Sequence, residues 1–272
     1  MSRPRYNDAQ MARPLAVITG ASAGLGAVFA RRLAAQGYDL LLVARRRDRL
    51  ENLAGELSRA HSIAAEPLPA DLAAAEGLET VKSRVASAPE LELLVNNAGF
   101  GTKRRFFDAV PEDQVRMHRL HVDAVVQLTR AALPGMVERN RGAIINVASV
   151  AAFARSPGNV SYCATKAWMA AFTEGLYLEL SGLGSKVTVQ ALCPGFAYTE
   201  FHDVMGFERS RVSRSLWMSA EEVVDASLAG LRKRKLYVIP GWRYRLFVAG
   251  FTRLPVALRL RLERMSPHRK DR

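Results

Sequence analysis

The chain has 272 residues, of which 49% are hydrophobic and 24% charged, with a formal net charge of +13. That length suits one α/β domain around a single core. Two cysteines, Cys163 and Cys193, exclude a disulfide framework and suit a reducing cytoplasm, the expected compartment. Cys163 reads as a small packing residue. Histidines, cysteines and carboxylates do not cluster at ligand spacing, so no metal site is expected. The charge is uneven: from Arg232 to Arg272 there are 13 basic and 2 acidic residues, a net of +11. The excess therefore belongs to the tail.

Residues 1–12 are polar, with no apolar h-region, and read as a disordered lead-in before a catalytic-size domain over 13–240 and a tail over 241–272. Strand-like runs follow at 15–19, 39–44, 63–68, 92–95, 142–148, 187–193 and 236–239. Helical stretches lie between them, notably at 73–87, 111–139, 161–180 and 220–232. Alternating β and α with near-continuous apolar strands predicts a doubly wound parallel sheet of about seven strands, a Rossmann fold, covered on both faces. The first strand runs straight into G-A-S-A-G-L-G (Gly20 to Gly26), after which Val28, Phe29, Leu33 and Ala34 repeat at helical spacing. Strand, glycine turn and helix are the context for binding a dinucleotide, whose pyrophosphate rests on the helix N-terminus.

The second strand ends in Arg45, Arg46 and Arg47, with no carboxylate at its tip. Arginine there accommodates a 2′-phosphate, so NADP is expected over NAD, with Arg45 as the main contact. Arg46 and Arg47 read as the solvated first turn of the next helix. Farther on, Tyr162 and Lys166 stand four apart in Y-C-A-T-K, thirteen residues after Ser149. On a helix, positions i and i+4 share a face. A cation beside a phenol favours the phenolate and lowers its pKa from ~10 toward acid/base use. A hydroxyl such as Ser149 would then hold a carbonyl oxygen where the tyrosine proton arrives. Taken alone, Y-x-x-x-K also describes an amphipathic helix with a snorkelling lysine.

T-G-A-S-A-G-L-G, Asp71-Leu72, N-N-A-G (Asn96 to Gly99), Ser149, Y-C-A-T-K and Pro194-Gly195 come in the order and spacing of the short-chain dehydrogenases/reductases. The chain resembles that family over roughly residues 13–240, and most closely its NADP-dependent carbonyl reductases. The resemblance implies that Gly20, Ser22, Gly24, Leu25 and Gly26 line the phosphate loop. Asp71 and Leu72 would flank the adenine, with Asn97, Ala98 and Gly99 under the adjoining ribose. Tyr162 would be the general acid in reduction and the base in oxidation. Lys166 would hold the nicotinamide ribose, Ser149 would orient the carbonyl, and Pro194, Gly195 and Thr199 would pack on the nicotinamide. Many members carry a helical asparagine that helps hold a relay water. His121 stands at that position here, and is expected either to substitute in the relay or merely to fill space on a buried helix.

Aromatic residues in the segments 100–107 and 196–202, with Phe153, Phe207 and Trp217, suggest a bulky apolar carbonyl substrate or ordinary loop core. A rival class, a non-catalytic NADP-binding module, would leave Ser149, Tyr162 and Lys166 without a task. A homodimer or homotetramer is implied by analogy through the helices at 111–139 and 161–180. In the tail, Tyr244, Phe247, Val248, Phe251 and Leu254 share one helical face, with Arg245 and Arg253 off it. That basic amphipathic helix reads either as an element docking on an anionic membrane surface or as a cover for the cleft or a partner subunit. No nucleic-acid module accompanies it, so nucleic acid is not an expected partner. No apolar run approaches the ~20 residues of a membrane span.

Overall fold

A computed structural model describes residues 13–102 and 104–264. The expected lead-in over 1–12 and the end of the tail, 265–272, lie outside the described residues. Seven parallel strands form one sheet in the order β3-β2-β1-β4-β5-β6-β7. They are β1 (Leu15–Thr19), β2 (Asp39–Ala44), β3 (Ala65–Pro69), β4 (Leu91–Asn96), β5 (Ala143–Val147), β6 (Thr188–Leu192) and β7 (Tyr237–Val238). The helices are α1 (Gly24–Ala34), α2 (Arg47–His61), α3 (Ala75–Ala86), α4 (Pro111–His118), α5 (Ala124–Glu138), α6 (Val160–Gly182), α7 (Glu200–Val204), α8 (Ala220–Arg232), α9 (Trp242–Phe251) and α10 (Val256–Arg264).

Both faces of the strands are apolar because both are covered. Ile18, Leu40, Leu42, Leu93 and Ile145 pack under Phe29 and Leu33 of α1, Leu50 and Leu57 of α2, and Val223 and Leu228 of α8. Their neighbours one residue away, Val17, Leu41, Val43, Leu94 and Ile144, meet Val81 of α3, Leu128 and Met136 of α5, and Leu180 of α6. The side-chain period of two thus divides one apolar run between two cores. After β3 the chain returns to pair β4 with β1. The strand order reverses there, and ligands of open α/β sheets bind at such a point.

Three sequence expectations shift. The third strand starts at Ala65, two residues late, and carries Pro67 and Pro69 on the sheet edge. The Ala70 N–H bonds to Ala44 O, so even-numbered positions face β2 and both prolines face the open side, where no donor is needed. The last strand keeps only Tyr237–Val238. The helix expected to run unbroken over 111–139 is interrupted by a π-helical turn, Arg119–Asp123, which carries His121. Pro134, by contrast, lies inside α5 without ending it. Among the described residues, no helix is long and apolar enough to cross a membrane.

Candidate active site

The glycine turn is built by φ angles that side chains resist: Gly20 stands at +69° and Gly24 at +54°. A Cβ on Gly26 would lie 2.2 Å from Gly20 O, so the helix can start this tightly only with glycine there. Thr19 locks the turn to the next loop. Its Oγ1 accepts from Asn97 N at 2.9 Å and Ala98 N at 3.0 Å, and donates to Val95 O. The Asn97 side chain donates to Thr19 O at 2.8 Å. Asn97 therefore fastens β1 to β4 with its side chain, which leaves the backbone of Ala98 and Gly99 as the floor of the cleft. Leu72 is buried in the core under β2. Asp71 accepts from Arg116 through Oδ2 and from Ala73 N through Oδ1. The glycine turn and the N-terminus of α1, close-packed as only glycine allows, fit a dinucleotide's pyrophosphate.

Beside the turn, two arginines are tied to neighbouring side chains. Arg46 donates through Nε and Nη2 to Ser22 Oγ at 3.2 and 3.1 Å, and through Nη1 to Glu200 Oε2 at 2.9 Å. Arg49 Nη1 reaches Glu200 Oε1 at 2.6 Å. Arg45, Arg46 and Arg49 are all exposed at this edge, and Arg46 and Arg49 share the Glu200 carboxylate. Both arginines hold the Glu200 carboxyl below its usual range. Glu200 follows Thr199, whose Oγ1 caps α7 by accepting from Phe201 N at 3.4 Å. A Cβ on Gly24 would touch the Thr199 side chain at 3.2 Å, so α7 starts directly over the glycine turn.

Ser149, Tyr162 and Lys166 converge at the C-terminal end of β5. Ser149 Oγ accepts from Ala151 N at 3.1 Å and donates to Pro194 O at 3.4 Å. Lys166 is buried, donates from Nζ to Val147 O at 2.7 Å, and lies 5.8 Å from the centre of the Tyr162 ring. Burial pushes the Tyr162 phenol up to about 12, against a hydrogen bond with Ser149 that favours the phenolate. Burial also lowers the Lys166 ammonium to about 8. Desolvation is the largest influence on both groups, since it penalises each charged form.

His121 is fully buried, and the protein takes both of its ring nitrogens. Nε2 accepts from Phe100 N at 3.2 Å, and Nδ1 lies 2.9 Å from Thr165 Oγ1. Thr165 Oγ1 in turn donates to Tyr162 O at 3.0 Å. One neutral tautomer, with the proton on Nδ1, satisfies all three bonds. Burial first, then Lys166, holds its pKa well below the usual value. Neither nitrogen is left to hold a relay water. The ring thus ties Phe100 to Thr165 of α6. A Cβ on Gly99 would lie 2.7 Å from His121 Nε2, which explains that glycine.

Aromatic rings cluster beside Tyr162. Phe201 lies 5.8 Å from the Tyr162 ring. His202 sits among Phe196, Phe207 and Trp217 at 4.9–5.8 Å. Phe153 instead packs on Tyr237 in a core cluster. Sequence reasoning missed one residue beside this cluster, Tyr244 of α9. Its hydroxyl accepts from Phe196 N at 3.0 Å and donates to Leu216 O at 2.6 Å. Its ring lies so close to Gly195 that a Cβ there would be 2.0 Å from Cζ. The signal was visible as the first apolar position of the tail's stripe. Tyr244, Val248 and Phe251 are all buried, so part of the tail covers the body.

A model of the short-chain dehydrogenase family matches residues 14–206. A short-chain dehydrogenase from Sphingobium yanoikuyae, solved in complex with NADPH, is 35% identical with a TM-score of 0.81, covering 95% of this chain and 98% of that one. The bulky-bulky ketone specific alcohol dehydrogenase from Comamonas testosteroni is 30% identical with a TM-score of 0.74, covering 95% and 96%. The very-long-chain 3-oxoacyl-CoA reductase of Anas platyrhynchos is 30% identical over 70% of this chain. This chain spans 61% of that reductase's length. The chain belongs to the short-chain dehydrogenase/reductase family of oxidoreductases.

Proposed function

We propose that the protein is an NADP(H)-dependent oxidoreductase that interconverts a bulky apolar ketone and its secondary alcohol. The observation that carries this is the convergence of Ser149, Tyr162 and Lys166 beside a glycine cradle edged by Arg46. The nicotinamide, when bound, supplies or takes the hydride. Gly20, Gly24 and Gly26 let the backbone approach the pyrophosphate, and Ser22, Arg46 and Arg49 present donors for a 2′-phosphate. Ser149 Oγ orients the substrate oxygen, and Tyr162 delivers its proton to that oxygen. With its pKa near 12, Tyr162 holds that proton at neutral pH, as a general acid must. Lys166, close to half-charged near pH 8, keeps a cation beside the phenolate as it forms. Phe201, His202, Phe207 and Trp217 exclude water and favour bulky apolar groups. The named substrate of the Comamonas testosteroni relative, a bulky-bulky ketone, supports the same class.

A homo-oligomer fits the exposed Val115, Val126, Tyr177 and Leu178 on α4, α5 and α6. A cytoplasmic site fits two free, buried cysteines. NADPH oxidation against a panel of aryl and alicyclic ketones, run beside Tyr162→Phe, tests the proposal. Wild type should turn over, and the variant should lose about 10²–10⁴-fold in kcat while still binding NADPH. If both proteins bind NADPH and neither consumes it, the chain is a binding module and the enzymatic reading fails.

A further inference from the structure

The α9 helix divides its surface between two environments. Tyr244, Val248 and Phe251 are buried on the body, whereas Trp242, Leu246 and Phe247 are 59%, 64% and 45% exposed. Next to it, α10 turns a carboxylate toward the protein: Glu263 Oε1 accepts from the Arg155 backbone N–H at 2.7 Å. Val256, Leu258, Leu260 and Leu262 are all more than 40% exposed, and Leu258 and Leu262, one turn apart, lie on the side away from Glu263. Seven large apolar side chains on two successive short helices thus meet water, which monomeric surfaces ordinarily avoid. Residues 241–264 contain six arginines and one acidic residue, Glu263, and that carboxylate faces inward.

Charge selects the occupant. A second copy of this chain would set one arginine-rich face against another, and like charges across an interface repel. Anionic lipid headgroups complement the arginines, while the acyl boundary receives the leucines. Trp242 suits the same zone, where an indole's apolar body and polar N–H are both satisfied. We propose that the outer face of α9 and α10 docks on an anionic bilayer surface, lying in the interfacial plane without crossing it. Docking needs neither nucleotide nor hydride chemistry, so it stands apart from the enzymatic reading. One consequence does rest on that reading. α9 packs on Gly195 and Phe196, and α10 on Arg155, so the docked face borders the segments that follow the catalytic strands. An apolar ketone dissolved in the bilayer would then reach the cleft along lipid.

The test is co-sedimentation of the full chain with vesicles of pure phosphatidylcholine or of equimolar phosphatidylcholine and phosphatidylglycerol. The protein should pellet with the anionic vesicles and stay in solution with the neutral ones. An arginine near such a surface is worth about fivefold in partitioning, so Arg245→Gln/Arg253→Gln/Arg261→Gln should lose about a hundredfold. Leu258→Ser/Leu262→Ser should lose at least tenfold by a different route. Unchanged melting curves and NADPH affinity would show that both variants are folded, and if one misfolds the other still decides. Equal recovery in the supernatant with and without anionic vesicles overturns the proposal, as does equal pelleting of wild type and the arginine variant. If the leucine variant instead converts a dimer to a monomer in sedimentation velocity while lipid binding is absent, the face belongs to a second copy and the proposal falls.

Discussion

Replacing Lys166 with methionine should make the protein more stable while removing its activity. Burial lowers the lysine from 10.5 to about 8, so at neutral pH the fold carries an ammonium it disfavours. At ~1.4 kcal/mol per pKa unit, that shift represents about 3 kcal/mol. The variant also loses the hydrogen bond from Nζ to Val147 O, which is worth roughly 1–2 kcal/mol. Methionine fills similar volume, and buried charges are often replaced by apolar residues at no cost or with a gain. The net expectation is about 1–2 kcal/mol in favour of the variant. For a chain of this length, that is a rise in Tm of about 2–4 °C. The sign with pH is fixed. Between pH 8 and 10.5 the unfolded lysine holds a proton that the folded one has released, so wild-type stability rises with pH across that window. The variant's advantage should therefore be full below pH 8 and turn into a deficit of about 1–2 kcal/mol above 10.5, where only the lost hydrogen bond remains. Thermal melts in nucleotide-free buffer at several pH values measure it. A variant that melts below wild type at pH 7, or a difference that does not change with pH, would refute the account of Lys166 as a buried, disfavoured cation.

Three further outcomes follow from the site. Arg46→Ala should weaken NADPH about 10–100-fold and leave NADH unchanged in fluorescence titrations, because only the 2′-phosphate needs the guanidinium. Glu200→Gln, which frees Arg46 and Arg49 from an exposed carboxylate, should tighten NADPH by about 2–5-fold with NADH again unchanged; weaker NADPH binding would mean that Glu200 aims the arginines. His121 is held neutral in the fold, so wild type should lose stability as pH falls below ~6.5, at no more than ~1.4 kcal/mol per pH unit from this group. His121→Gln should melt with a flatter acid limb, and an unchanged limb would count against a buried neutral imidazole.

Much of this architecture was legible in the sequence because its causes are local. Leu15–Thr19 and Asp39–Ala44 are apolar at every position but one, and that composition suits strands covered on both faces. The glycines announce themselves because no other residue takes their φ angles or close contacts. The third strand, expected at 63–68, lies at Ala65–Pro69, and its prolines are harmless because it stands at the sheet edge, which the sequence does not announce. The partners of Arg46 were illegible for another reason. Arg45, Arg46 and Arg47 all lie at the exposed entry to α2, and Arg46 is engaged by Ser22 and Glu200, which are 24 and 154 residues distant from it.

The break in the long helix shows why His121 resisted a reading from sequence. Arg119–Asp123 hold neither proline nor glycine, so no local breaker asks for a π turn. The demand is tertiary: Phe100 N and Thr165 Oγ1 both need a partner in a sealed space, and one imidazole can serve both. An asparagine's shorter side chain could not span the same two groups, so the substitution changes what the position does. In this chain the ring ties the loop at Phe100 to the helix that carries Tyr162 and Lys166. The π turn and the histidine coincide, and the ring that the turn carries satisfies the Phe100 N–H.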